Sequence, residues 1–238
     1  RNLFYTGQTN ANGSPAYGRF DPSLLQKNIF TFDGNSNYHA GILQVQRRMR
    51  NNFTLAGHYT WSKAMDDFTD FNSDFSPMDQ LCKRCEYSLS PFHHSHRVVV
   101  NAVIQSTARN ILLEGWSVSP IVQANSGRPF NLLAGVDVNG DNYTTNDRPY
   151  GLGRNVGRGP AFFSMDLRLS RRFQFGSSER RNVEFIAEGF NLANRTNFKT
   201  INNTVGPVAL SSLPRPFVGV KGASPTTPFA FTSAYDPR

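Results

Sequence analysis

The chain has 238 residues, a net charge of +8 at pH 7, and a composition only 38% hydrophobic that nevertheless holds 20 phenylalanines. No segment approaches the ~20 consecutive apolar residues of a spanning helix, so a helical membrane protein is excluded, and the scarcity of aliphatic residues argues against a leucine-rich globule. The basic residues cluster at strand ends and turns (Arg47, Arg48 and Arg50; Arg171 and Arg172; Arg180 and Arg181) and interleave with no nucleic-acid motif, so no nucleic-acid partner is expected.

Residues 1–37 are rich in Gly, Asn, Ser and Pro without periodicity, which predicts a loop region. The chain opens on Arg1-Asn2-Leu3 with no initiator Met and reads as a piece of a longer protein. From Tyr38 to Arg50, Gly41, Leu43, Val45 and Met49 alternate with Gln44, Gln46, Arg48 and Arg50, which predicts a strand; Arg47 intrudes on its apolar face. The Asn51-Asn52 pair then predicts a tight hairpin, because Asn tolerates the positive φ such turns require.

The returning strand, Phe53 to Ala64, has the clearest contrast in this half of the chain. Phe53, Leu55, Gly57, Tyr59 and Trp61 alternate with Thr54, Ala56, His58, Thr60 and Ser62. One face is apolar and ends in aromatics, as a membrane-spanning strand ends at the lipid headgroups.

A long polar segment over 65–95 precedes a strand at Arg97 to Gln105, a short link at 106–114, and a strand at Trp116 to Asn125 in which Pro120 predicts a bulge or distortion. A second long loop covers 134–161. The cleanest alternation follows: Phe163, Met165, Leu167, Leu169 and Phe173 on one face, Ser164, Asp166, Arg168, Ser170 and Arg172 on the other, with Arg171 breaking the apolar face. A turn at Gly176 to Arg181 returns into Val183, Phe185 and Ala187 against Glu184 and Glu188. Ionisable residues on the second face are costly in a dry sandwich core and natural against a hydrated lumen. Short links at 51–52, 106–114 and 176–181 alternate with long ones at 65–95, 134–161 and 195–238, the asymmetry of an outer-membrane barrel.

The co-linear series SNYHAGILQVQRR, YTWSKAMDD, His96-Arg97, SGRPF (Ser126 to Phe130), NDRP (Asn146 to Pro149), FFSMDLRLSRRF and EFIAEGFNLANRTNF, over about residues 35–200, resembles the C-terminal barrel of TonB-dependent receptors of the Oar-like group, which carry a carboxypeptidase-regulatory-like domain. The resemblance implies an all-β fold: an antiparallel transmembrane β-barrel fragment, about six strands of a barrel of about 22, in the outer membrane of a Gram-negative bacterium. It implies an extracellular loop region at 1–37, barrel strands over 38–192 with loops at 65–95 and 134–161, and a long extracellular loop over 193–238, the chain stopping before the closing strand. Its expected partners are outer-membrane lipid, an unknown ligand, and the TonB complex through a plug and contact segment outside this chain.

Gln44, Gln46, Arg168, Arg172, Glu184 and Glu188 are the candidate lumen-facing residues. Cys82 and Cys85 form a C-x-x-C followed by His93, His94 and His96; a disulfide suits an oxidising exterior, and free thiols or a zinc site are the alternatives. Asp137, Asn139 and Asp141 alternate like the oxygen ligands of a calcium loop but lack the Glu and helical flanks of an EF-hand. The stretch Asp66, Asp67, Phe68, Asp70, Phe71, Asp74, Phe75 and Asp79 mixes carboxylates with aromatics, and reads as a solvated loop before it reads as a ligand site. No nucleophile, base and orienting residue stand together, so no enzyme is expected. Three functions remain open on these grounds: a ligand-importing receptor, a non-transporting surface protein (adhesin or secretion partner) on the same barrel, and a secreted soluble β-sandwich binding module.

Overall fold

The computed structural model describes residues 3–9, 11, 15–24, 31–68, 77–79, 82–110, 112–140, 144–175, 182–206, 217 and 233–235. β1 (Leu3–Thr9) and β2 (Pro15–Arg19) pair as an antiparallel hairpin inside the segment that reads as loop. What organises it is cross-strand, not periodic: the Phe4 ring lies over Gly18, where a Cβ would come within 2.6 Å of it, and packs tilted against Phe20 with ring centroids 4.9 Å apart. The hairpin is separate from the main sheet.

The main sheet is an antiparallel meander. β3 (Ser36–Arg50) and β4 (Phe53–Asp66) form its first hairpin, with the two-residue β5 (Ser88–Leu89) beside β4. β6 (His96–Gln105) and β7 (Trp116–Asn125) follow, then β10 (Phe162–Gln174) and β11 (Asn182–Gly189), in the spatial order β11-β10-β7-β6-β4-β3. Between β7 and β10 a small pair, β8 (Pro129–Phe130) with β9 (Gly157–Arg158), stands apart, as do β12 (Phe198–Thr200) and β13 (Ser233–Tyr235). The six long strands neighbour one another in the order they occur along the chain, across short and long links alike. β3 and β11 are the two edges and do not pair with each other, so the described strands form an open wall.

Asn51 and Asn52 carry φ of 53° and 60°, the left-handed pair the two-residue turn requires. The register runs true from Ser36↔Asp66 to Arg47↔Leu55 and slips by one before Arg50↔Phe53, a bulge beside the turn. Pro120 makes no bulge; what its missing donor causes is a local distortion of one ladder. The β6–β7 pairing lapses opposite Pro120 and resumes at Ile104↔Val118 in the same register, while Leu167↔Pro120 keeps the β10 side in step.

Register decides the faces. Gly41↔Trp61, Leu43↔Tyr59 and Val45↔Gly57 continue through Val98, Val100 and Ile104 to Val118, Val122 and Ala124, then to Met165, Leu167 and Leu169 and on to Ala187 and Phe185. Across the wall this is one apolar surface. From Phe163 to Phe173 are ten residue steps, roughly 33 Å along the strand and, at a tilt of ~40°, roughly 25 Å of height, the thickness of an outer-membrane apolar band.

Burial inverts the rule for a soluble sheet. In β10 the buried side chains are Ser164 and Ser170, on the polar face, while Leu167 and Leu169 are only partly covered. Among the described residues, the buried hydrophobics Leu132, Ala134, Val138 and Val205 all lie in loops, where Phe130, Leu152 and Phe217 pack on Leu132 and Val205. Leu43, Val45, Trp61, Ile104 and Phe185 on the apolar face are exposed, the reverse of a sandwich sheet, whose apolar face packs on a second one.

Candidate functional site

Two features carry chemistry: the polar face of the wall and the packed loops above one end. On the polar face Gln44 stands opposite His58 and Gln46 opposite Ala56. Arg168 is opposite Glu188 and Arg172 opposite Glu184, close enough for ion pairs at 3.7 and 3.4 Å. All six candidate lumen residues therefore share one face, four of them as a cross-strand ladder of alternating charge. The pairs are about half exposed, so each contributes little stability; their consequence is a hydrated, charge-balanced surface. Ile42, Ile121 and Ile186 interrupt it.

The long connections meet at one end. Asn139 Nδ2 donates to the Met78 carbonyl at 2.6 Å, Leu133 forms a parallel bridge with Thr204, and the Val205 amide donates to the Leu133 carbonyl at 2.8 Å. At the other end the Gln105 amide donates to the Asn52 carbonyl at 2.8 Å and the Arg172 amide to the Gly115 carbonyl at 3.0 Å. Antiparallel strands force this sorting.

Two buried ion pairs lock the long-loop end. Arg148 grips Glu86 with two bonds, Nη1 to Oε2 at 2.8 Å and Nη2 to Oε1 at 2.7 Å, and Glu86 Oε1 also accepts the Met78 amide at 3.0 Å. Arg154 Nη1 donates to Asp66 Oδ1 at 2.7 Å and to the Asp66 carbonyl at 2.9 Å. All four side chains are nearly inaccessible to water. Glu86 is presented by the short 3₁₀ turn Lys83–Glu86, whose entry is closed by the Cys82–Cys85 disulfide. With both sulfurs in that bond no thiolate is left for zinc. The imidazoles are committed too. His93 Nδ1 accepts the Ala64 amide at 3.2 Å, His94 Nδ1 bonds the Ser126 carbonyl at 2.8 Å and its Nε2 accepts Arg128 Nε at 3.1 Å, and His96 Nδ1 bonds the Tyr59 hydroxyl at 2.7 Å. Burial first, then nearby cations (Arg158 and Lys63 for His93, Arg128 and Arg97 for His94), hold both rings below the ordinary histidine pKa.

In the calcium candidate, Asp137 Oδ1 accepts the Gly140 amide at 2.6 Å and closes a turn, while Asn139 Nδ2 ties this loop to Met78; Asp141 lies outside the described residues. Asp147, fully buried, accepts the Val138 amide at 2.5 Å. Among the described residues no three His, Cys, Asp or Glu side chains gather as a metal site. Of the acidic and aromatic stretch, Asp66 is buried on Arg154 and Asp67 accepts the Asn35 amide at 2.7 Å, whereas Asp70, Phe71, Asp74 and Phe75 lie outside the described residues. Sequence reading missed Glu86, Arg148 and Arg154 as a unit. The NDRP motif around Arg148 was the one available signal, because such a pair spans 62 residues of aperiodic loop.

The two arginines that break the apolar face are at the short-turn end, and each lies over aromatics. Arg47 sits 5.1 Å from the Phe53 ring centroid; Arg171 is 4.4 Å from that of Phe173 and 5.5 Å from that of Trp116. Tyr59 and Trp61 occupy the opposite end of the same face. Aromatics at both ends of an apolar band, with cations able to reach water beyond it, is an interfacial arrangement.

A family model described as outer membrane beta barrel domain matches residues 2–152 and 150–217 of the chain. No curated protein and no solved structure matches it.

Proposed function

The chain belongs to the outer membrane beta barrel domain family, and from that premise we propose that it is part of the wall and outer loop cap of a TonB-dependent receptor that binds and imports a ligand. Its place is the outer membrane of a Gram-negative bacterium. The carrying observation is the cap itself: loops joined by buried Arg148–Glu86 and Arg154–Asp66 pairs hold a fixed shape over a polar, ion-paired wall. A rigid mouth above a hydrated passage suits capture followed by passage, and an interior of bonded polar groups suits contact with water, a plug or a moving ligand. In this reading the remaining strands, the plug and the TonB-contacting segment come from the rest of a longer protein, and the chain's work is binding, not catalysis. The Oar-like group is the specific relative this reading favours.

The test is association of the full-length protein, purified in detergent, with the C-terminal domain of TonB. Co-elution supports transport. Failure to associate, with the barrel folded by heat-modifiable gel mobility, removes transport and leaves the surface-protein reading, which keeps the cap and needs no energy coupling.

A further inference from the structure

Lys63 and Arg158 are placed unlike Arg148 and Arg154. Arg148 and Arg154 are buried against carboxylates, whereas Lys63 and Arg158 are exposed and, among the described residues, neither faces one. Lys63 continues the apolar face of β4 beyond Tyr59 and Trp61, with His39 directly opposite in β3. Arg158 comes over from the cap, its Nη1 reaching Ser95 Oγ at 3.4 Å. Trp61, Lys63, His39, His93, Ser95 and Arg158 line one open recess. Its floor includes Gly41, opposite Trp61, where an added Cβ would meet nothing within 4 Å.

Depth gives the recess its meaning. Lys63 is two residues past Trp61, roughly 7 Å along the strand and roughly 5 Å nearer the outside at a tilt of ~40°. A Trp at the edge of the apolar band sits at the headgroup boundary, so a lysine one step above it, on a flexible stem, reaches phosphate level. The positive field is felt inside: after burial, Arg158 and Lys63 are among the charges that lower the His93 pKa.

We infer that this recess binds the phosphate of an outer-leaflet lipid headgroup from the lipid side of the wall. The inference rests on the reading that the apolar face of β4 meets lipid. Free phosphate would satisfy the same cations. The lipid is favoured because the site opens on the apolar face, where Trp61 and Leu89 offer a surface for the part of a lipid just below its headgroup.

The experiment uses full-length protein in detergent and measures retention of fluorescent lipopolysaccharide against its dephosphorylated form. Wild type should retain the phosphorylated lipid. Removing the lipid's phosphates, or reversing both cations in Lys63→Glu/Arg158→Glu, should lower retention at least about tenfold. Lys83→Glu, which changes a cation paired with Asp33 elsewhere in the cap, should retain it as wild type does. If the double glutamate variant loses heat-modifiable mobility, Lys63→Gln/Arg158→Gln takes its place. Equal retention by a folded double variant overturns the site, and displacement by excess inorganic phosphate alone overturns its assignment to lipid. A fluorophore on Leu43→Cys, across from Tyr59 on the same face, separates the two levels of the argument. Quenching by brominated lipids with unchanged retention refutes the headgroup site and leaves the barrel standing; absence of quenching refutes the facing itself.

Discussion

Replacing Leu169 with Arg tests the facing of the wall where it is most sensitive. Leu169 is six residue steps from Phe163 and four from Phe173, with Val118 and Ala187 as its cross-strand neighbours. At ~3.3 Å per step and a tilt of ~40° it lies roughly 10 Å inside the Phe173 edge of a band roughly 25 Å high, near the midplane. An arginine on the lipid face there costs about 2–4 kcal/mol, falling to about 0–1 kcal/mol near the interfaces. The chain contains its own control: Arg171, two residues on and on the same face, is roughly 5 Å nearer the edge and stacks on Phe173 and Trp116. Gln44→Arg, at similar depth on the exposed polar face opposite His58, should cost less than 1 kcal/mol. Ser170 is a poorer comparison, because it is buried and hydrogen-bonded to Glu184. Urea titration of the full-length protein in lipid vesicles, followed by heat-modifiable mobility, gives the three stabilities. Equal tolerance at Leu169 and Gln44 would refute the facing assignment.

Three further outcomes follow from the cap and the turns. Arg148→Ala leaves Glu86 charged and buried without its partner and should destabilise the cap by about 3–5 kcal/mol, read as faster amide exchange at Met78 with the strands unaffected. Acidification should loosen the same region. His93 and His94 have folded-state pKa values below the unfolded value, so below about pH 6.5 the unfolded segment binds more protons, and stability falls as pH falls towards the folded values. Protection of the Ala64 amide, bonded to His93 Nδ1, measured against its intrinsic exchange rate at each pH, should therefore fall between pH 7 and 5. Gly115→Ala forces a Cβ to within 2.4 Å of the Arg172 carbonyl oxygen at a φ of +78° and should cost more than about 2 kcal/mol by the same urea titration, whereas Gly41→Ala, in open space, should not.

The strands were legible where each face has one environment. β4 and β10 alternate cleanly because one side meets an apolar medium and the other water, and the Asn51-Asn52 turn was legible because few residues accept its backbone. Arg47 and Arg171 looked like errors in the pattern until the aromatics beneath them were placed. The β1–β2 hairpin was not legible, since Phe4 over Gly18 is a relation across strands that leaves no period along either. Pro120 distorts only the β6 side of its strand, and the wall absorbs the loss without changing register. The cap was least legible of all. Glu86 with Arg148 and Asp66 with Arg154 are joined across 62 and 88 residues, and their burial depends on loops folding over one another.

The central claim is that this wall crosses the outer membrane with its long connections outside and its short turns in the periplasm. Single cysteines at Val136 and Thr204 mark the first set, and one at Arg109 marks the second; all three positions are exposed, and the Cys82–Cys85 disulfide remains intact under non-reducing conditions. With a membrane-impermeant maleimide on intact cells expressing the full-length protein, Val136→Cys and Thr204→Cys should label, and Arg109→Cys should label only after the outer membrane is breached. Labelling of Arg109→Cys on intact cells to the same extent as Thr204→Cys would contradict the topology.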